Sequence, residues 1–275
     1  MRRKKWSLPY VLLFSTLLVG SILMFIPYIW MVLTSFKSNA EILTSANHLL
    51  PQEPTLDGYR KVLRDAPFFR WFINSVSTAV LITLGAVYSS ALAGYVFAKF
   101  RFRGKRLLFI AILATMMVPF QIVMIPTYII ISKLNLVNHL SAIVIPYLVS
   151  AFGIFLARQF IEGIPGELIE AARMDGASEF RTFWSLILPQ IKPALSALAI
   201  FTFMAAWNNY LWPSIILNKE TKMTVPLALV FFNGQNVVNY NVVMSAAVLI
   251  MIPVVVIFLI FQKQFIKGLT MTGFK

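Results

Sequence analysis

Cysteine is absent from the 275 residues, which excludes disulfides and thiolate metal sites. Histidine is nearly absent. His48 and His139 stand far apart with no companion ligand pattern, so each reads as a solvated loop side chain, and zinc hydrolysis and Cys–His chemistry are set aside. Charge is scarce as well. Asp, Glu, Lys and Arg make up 12% of the chain and hydrophobic residues 59%, whereas a soluble domain carries roughly 25% charged residues. So few charges cannot clothe a compact globule in water, and this is the composition of a membrane protein. Acids are scarcest, with 10 Asp plus Glu against 24 Lys plus Arg and a net charge of +14. That excess invites a nucleic-acid reading. Basic residues at the ends of apolar runs are better explained by membrane orientation, and no nucleic-acid partner is expected. A phosphate-binding Gly-x-x-x-x-Gly-Lys-Ser/Thr loop is also missing. The Gly-Lys pair Gly104-Lys105 has Lys99 and Arg106 where glycine and Ser/Thr are required.

Long apolar runs are abundant. Crossing ~30 Å of hydrocarbon takes about 20 apolar residues in a helix. Six segments meet this, at 10–33, 72–98, 107–130, 140–160, 194–217 and 242–262. Barrel strands would show short alternating stretches, so the expected fold class is all-α, a polytopic membrane protein with six transmembrane helices forming one domain over 1–275. The basic start Arg2-Arg3-Lys4-Lys5 before an apolar run is like a signal peptide. The run is too long for one and ends without a small-residue cleavage site, so it is read as a retained first span. Placing the amino terminus inside puts twice as many Lys and Arg on the inner side as on the outer. Both termini are then expected in the cytoplasm.

The spans contain no Asp or Glu, and their Lys and Arg lie at the ends. Proton or ion relays need charged groups inside the membrane, so a proton-coupled carrier is disfavoured. The polar residues within the spans are neutral. Asn74 in the second span and Asn208, Asn209, Tyr210 and Trp212 in the fifth form a candidate substrate pathway, since amides beside aromatic rings suit an uncharged hydroxylated solute. Helix–helix hydrogen bonding is the plainer role for each.

Two loops are long. The first, 34–71, ends in Phe68-Phe69-Arg70-Trp71-Phe72, an interfacial aromatic belt; it is a surface-lying or re-entrant segment, or a dock for an external partner. The second, 161–193, is expected in the cytoplasm. Pro165 opens a short helix over Gly166–Met174, Asp175-Gly176 stops it, and Ser178 caps a second stretch from Glu179 to Ile187, closed before Pro189. Leu168, Ile169 and Ala172, with Phe180, Phe183 and Trp184, give these helices apolar sides. Such helices can lie on lipid, but surface helices favour Lys and Arg on their polar side. Five acids between 162 and 179 point instead to a protein partner.

Glu170-Ala171-Ala172, three residues, Gly176, nine residues, then Leu186-Ile187-Leu188-Pro189 resembles the EAA loop of binding-protein-dependent ABC importer permeases. Leu186 stands where that family usually has isoleucine. Trp71-Phe72-Ile73-Asn74-Ser75, Ala93 to Ala98, Asp175 to Ser178, Trp207-Asn208-Asn209 and Lys267-Gly268-Leu269-Thr270 are similar to the carbohydrate-uptake branch, the maltose-type second permease. The ending Met271 to Lys275 departs from that pattern and leaves open whether the tail reaches the ATPase subunits.

The resemblance implies a permease subunit in the inner membrane of a prokaryote, importing a solute that is expected to be a sugar. It implies a second, related permease, two copies of an ATP-binding subunit that hold ATP and Mg, and an external solute-binding protein. Glu170, Ala171, Ala172, Asp175, Gly176 and Pro189 would form the coupling contact, with Glu170 paired either across the interface or within its own helix to Arg173. The chain itself would catalyse nothing. The alternative is a self-sufficient channel or secondary carrier for a small polar solute.

Overall fold

The computed structural model of the protein describes residues 8–44, 48–233 and 239–271. Arg2 to Lys5 and the tail from Thr272 to Lys275 lie outside these, and the side chains of the Lys267-to-Thr270 stretch are likewise not described. The described residues are helical, with no strand among them. In chain order the helices are α1 (Leu8–Ser35), α2 (Asn39–Thr44), α3 (Asp57–Arg64), α4 (Phe68–Lys99), α5 (Lys105–Thr115), α6 (Phe120–Lys133) and α7 (Ser141–Val144). A 3-10 turn, Ile145–Tyr147, leads to α8 (Ala151–Glu162), followed by α9 (Gly166–Met174) and α10 (Glu179–Thr182). A π-helical turn, Phe183–Ile187, joins α10 to α11 (Leu188–Gln190). The remainder are α12 (Lys192–Trp207), α13 (Leu211–Ile216), α14 (Val225–Asn233) and α15 (Tyr240–Met271).

Three helices are single and long enough to span a bilayer: α1, α4 and the Tyr240–Ile260 part of α15. Three further candidate spans contain bent pairs, α5 with α6 at 99°, Ser141–Tyr147 with α8 at 42°, and α12 with Glu179–Gln190 at 77°, the last segment preceding the apolar run 194–217. Six spans are therefore present when each pair counts once, and the helices expected over 107–130, 140–160 and 194–217 are each interrupted. Each interruption has a local cause. Pro119 has no N–H to donate, and Met116, Met117 and Val118 tighten the end of α5 by bonding carbonyls three residues back. Ser150 is extended and accepts from the Gly153 amide at 3.0 Å, which starts α8 afresh. In the fifth span α12 ends at Trp207, where the Asn208 side-chain amide turns back to the Met204 carbonyl at 2.9 Å. Asn209 Oδ1 then accepts from the Trp212 amide at 3.4 Å as α13 begins.

The chain forms two compact units, one of residues 1–68 with 229–253, the other of 69–228 with 254–275. In the first, the described residues of the first long loop include α2 and α3 and gather around a polar centre. Asn241 on α15 donates to the carbonyls of Ser35, at 3.0 Å, and Lys37. The Ser35 hydroxyl lies 2.7 Å from that of Tyr59 on α3. Lys37 is buried, its ammonium donating to the His48 carbonyl, while Glu41 accepts from the Gln52 amide at 2.9 Å. Polar groups taken from water must find such partners.

In the second unit α4 and α8 pack with almost nothing between them. A Cβ on Gly94 would lie 2.6 Å from Ala157 Cβ and 2.9 Å from the Arg158 nitrogen. A Cβ on Gly153 would lie 2.1 Å from the Ser90 hydroxyl. In lipid, helices associate through such close van der Waals contact, because tails are as apolar as leucine. Ala91, Tyr95, Ala157 and Ile161 from these helices join Ile169, Phe183 and Ile187 in one buried cluster. Gly94→Val is therefore expected to lower thermal stability in detergent by roughly 1–3 kcal/mol, the usual cost of overpacking. Gly20→Ala on α1, where a Cβ meets nothing within 4 Å, is the control. A melting curve that did not separate the two would remove the contact's importance.

Candidate functional site

The segment from Ile161 to Gln190 is built from its turns outward. Pro165 precedes α9 in an extended conformation (φ −55, ψ 136), and its fixed φ suits a helix entry. At the other end the Gly176 amide donates to Arg173 O at 3.0 Å and the Ala177 amide to Ala172 O at 2.9 Å. These are the two bonds of a Schellman stop, which needs a left-handed residue between helix and exit. Gly176 supplies it, with φ +76. Ser178 then accepts from the Arg181 amide at 3.2 Å and caps α10. The bounds of α9, its stop and the Ser178 cap thus fall where the sequence predicts them.

The second stretch differs from expectation. It does not close before Pro189 but runs through it to Gln190. The wide turn Phe183–Ile187 just upstream makes room for a proline ring, which would clash with the carbonyl four residues back in an unbroken α-helix. The apolar sides also divide unequally. Ile169, Phe183 and Ile187 are buried, but Leu168, Phe180 and Trp184 are exposed, Phe180 at 68%.

The two short helices are tied to each other and to a span. Arg173 Nε at the end of α9 donates to Glu179 Oε1 at 2.7 Å, at the start of α10. The Tyr95 hydroxyl of α4 donates to the other carboxylate oxygen at 2.8 Å. Arginine at a helix C-terminus and glutamate at an N-terminus also suit the helix dipoles. The hydrogen bond from Arg173 holds the Glu179 carboxyl below the usual carboxylate range, outweighing the opposing effect of burial.

Arg173 gives its close ion pair to Glu179, while Glu170 has no salt bridge among the described residues and acts on Arg173 only through space. The face of α9 turned away from Ile169 offers Glu170, Ala171, Met174 and the Asp175-Gly176 turn to solvent, with Met174 88% exposed. Ala172 is half-buried, and Pro189 is exposed on the next element.

The candidate pathway residues separate. Asn74 donates to the Thr221 and Met223 carbonyls at 3.1 and 2.9 Å, pinning the turn before α14 to the start of α4. Trp212 is fully buried, its indole donating to Ala142 O at 3.0 Å and meeting the Phe120 ring edge-on at 5.5 Å. Asn208 caps α12, and Tyr210 is 40% exposed beside it. Only Asn209 of the five lines a cavity of about 290 Å³. Tyr147, Ser150 and Thr202 share its wall with Phe152, Leu198 and Phe201. Asn209 Nδ2 donates to the Tyr147 hydroxyl at 3.4 Å. Sequence reasoning missed Tyr147, Ser150 and Thr202, and Tyr95 as the partner of Glu179. Their polar groups on apolar runs were the available signal. Among the described residues no cluster of His, Asp or Glu could hold a metal ion.

The sequence profile of a family described as binding-protein-dependent transport system inner membrane component matches residues 86–271. The chain is 34% identical to the arabinooligosaccharides transport system permease protein AraQ of Bacillus subtilis (strain 168), over 93% of this chain and 92% of that one. It is 33% identical to the sn-glycerol-3-phosphate transport system permease protein UgpE of Escherichia coli O157:H7, over 95% and 96%. Among solved structures it is similar to a chain of a bacterial ABC transporter involved in the import of the acidic polysaccharide alginate. That likeness has a TM-score of 0.82 and 26% identity, over 96% of this chain and 99% of the other. A chain of a bacterial alginate ABC transporter, in complex with alginate pentasaccharide-bound periplasmic protein, shares the fold with a TM-score of 0.63 at 14% identity.

The Arg173–Glu179–Tyr95 link has a pH signature. Because the folded carboxyl titrates below its unfolded value, the stability it contributes is present above the ordinary carboxylate pKa of roughly 4.3. That stability is lost as pH falls through the folded value. Amide exchange over 166–182 is expected to be equally protected at neutral and mildly acidic pH and to loosen only below that range. Glu179→Gln should make exchange several-fold faster at neutral pH. Unchanged protection in the variant would show that the link does not hold the two helices.

Proposed function

The chain belongs to the family of binding-protein-dependent transport system inner membrane components, and on that footing we propose that α9 is the element through which ATP hydrolysis on a partner drives it. It is a permease subunit of an ABC importer. The observation that carries the coupling role is the unpartnered face of α9. Its inner side is fixed by Ile169, its exit by Gly176 and its neighbour by Arg173–Glu179, while Glu170, Ala171, Met174 and Asp175 face outward. A helix held on one side and bare on the other, with Ala171 in its exposed last turn, suits a groove on a second protein.

In this reading residues 1–275 form one transmembrane permease domain in the cytoplasmic membrane of a prokaryote, with loop 161–193 and both termini on the cytoplasmic side. Two ATP-binding subunits hold ATP and Mg, a second permease completes the pathway, and an external binding protein delivers the solute. The chain's own residues favour a nucleotide site elsewhere. Lys105, in the Gly-Lys pair, has its ammonium on the carbonyls of Ala98 and Phe100, where it secures the end of α4. The solute is proposed to be a sugar or a glycerol phosphate, the classes carried in the names of the relatives. Asn209 and Tyr147 in the 290 Å³ cavity are the groups of this chain best set to meet a hydroxylated solute.

Two experiments test the reading. Purification of the tagged chain from mild detergent should bring down an ATP-binding subunit and a second permease, and ATPase activity with them. Recovery of this chain alone, active after reconstitution, would overturn it in favour of a carrier. A Cβ at residue 176 meets no atom within 4 Å, so a substitution acts through the left-handed backbone and not through a clash. Gly176→Val, strained by about 1–2 kcal/mol, should insert normally but reduce uptake tenfold or more. Gly176→Asn, which tolerates that conformation, should keep most of it. Normal uptake by the valine variant would remove the coupling role.

A further inference from the structure

A second cavity lies between the turn that follows α4, the first turns of α5 and Arg158 near the end of α8, and shares no lining residue with the Asn209 chamber. Its volume is about 880 Å³, and its wall divides by chemistry. Lys105, Arg106 and Arg158 supply positive charge, and Phe102, Leu107 and Ile110 supply hydrocarbon. No carboxylate lines it. Arg158 sits with its guanidinium 4.0 Å from the Phe109 ring centroid, its Nη2 paired with Glu162 at 2.6 Å. Its buried Nε has no hydrogen-bond partner in the structure. Glu162 thus satisfies one edge of the guanidinium only. Arg101 and Arg103, both exposed in the turn between α4 and α5, add to the local positive field. Leu107 and Ile110 are 73% and 51% exposed on a helix that belongs to a membrane span.

We propose that this cavity binds an anionic phospholipid, with its phosphate held by Arg106 and Arg158 and its acyl chains laid along Leu107 and Ile110. The inference rests on the membrane reading of α4 to α6 and on nothing in the coupling role of α9. Charge complementarity selects an anion, because three cations and no acid line the site, and the Glu162 carboxylate beside it is engaged with Arg158. The apolar flank selects an amphiphile over a free anion, since a small anion would leave Phe102, Leu107 and Ile110 wet. Basic pockets between transmembrane helices at the membrane surface bind lipid headgroups on this principle. Arg158 lies one helical turn before Glu162, where α8 gives way to the loop carrying α9. A bound lipid would therefore steady the root of that loop.

The test uses the full chain purified with its associated subunits and placed in nanodiscs of phosphatidylglycerol or phosphatidylcholine, with retained lipid counted by native mass spectrometry. Phosphatidylglycerol should be retained over phosphatidylcholine, and Arg106→Glu should weaken its retention roughly tenfold, as expected for reversing one charge at a membrane surface. Should that variant fail to insert, Leu107→Glu, which keeps the cations but charges the acyl path, should show the same loss. Equal retention by an inserted variant and the parent would overturn the proposal. Release of the lipid by millimolar inorganic phosphate would reassign the cavity to a free anion. Loss of an associated subunit from Arg106→Glu with lipid retention intact would reassign it to a protein interface. Each of these outcomes leaves the Gly176 measurement free to succeed or fail by itself.

Discussion

The contact between α4 and α8 at Gly94 and Gly153 is the constraint on which the second compact unit depends. Water drives helices together in a soluble protein, but in lipid that drive is missing, and association falls to close packing and a few hydrogen bonds. Gly94 and Gly153 let two backbones approach until Ala157 and Ser90 fill the space a side chain would take. That approach sets what lies at the adjoining C-terminal ends of α4 and α8. Tyr95, next to Gly94, is carried to Glu179, and Arg158, next to Ala157, is carried over the Phe109 ring.

The loop after α8 gains its character from this anchoring. Ile169 and Phe183 enter the same buried cluster as Tyr95 and Ala157, so the inner side of α9 and α10 is continuous with the packing of the spans. On the outer side of α9, Glu170 has no salt bridge among the described residues, and Ala171 and Met174 are exposed. A push on α9 from outside would reach α4 through Tyr95–Glu179–Arg173 and α8 through Ile161 and Ile169, all short and direct connections. The π-helical turn at Phe183–Ile187 and the 77° bend at Ile191 lie just beyond. They break the regular α-helix between the loop helices and α12, with Phe183, Ile187 and Ile191 themselves in the cluster that also holds Tyr95 and Ala157.

Much of this was legible in the sequence, and the rest was hidden for reasons that can be named. Six apolar runs announced the spans because length and polarity alone decide that question. The start and stop of α9 were readable because Pro165, Gly176 and Ser178 act locally, each through its own backbone or side chain. The breaks within spans were not. Hydropathy is blind to direction, and Pro119 reads like Pro126, which α6 carries without interruption. Ser150 and Asn209 end or begin helices inside apolar runs by bonds that composition does not register. Trp212 and Asn209 looked alike as pathway candidates three residues apart, and only the fold turns one into the core and the other to a cavity. The Tyr95–Glu179 bond joins residues 84 positions apart, beyond the reach of any local rule.

Helix α1 differs in kind from α4. Its side chains are exposed almost throughout until Thr34 and Ser35, so the described residues around it in its own compact unit specify their shapes only loosely. Such a helix is written in a degenerate alphabet. Val11, Leu13, Leu18 and Ile22 can be exchanged for one another without disturbing that unit's own packing, while position 94 admits a single letter. Random drift over generations should therefore collect in the first span as changes of spelling that keep the meaning. The family profile begins at residue 86, past this helix, in the stretch that holds Gly94, Gly153 and the cluster around Tyr95 and Ala157.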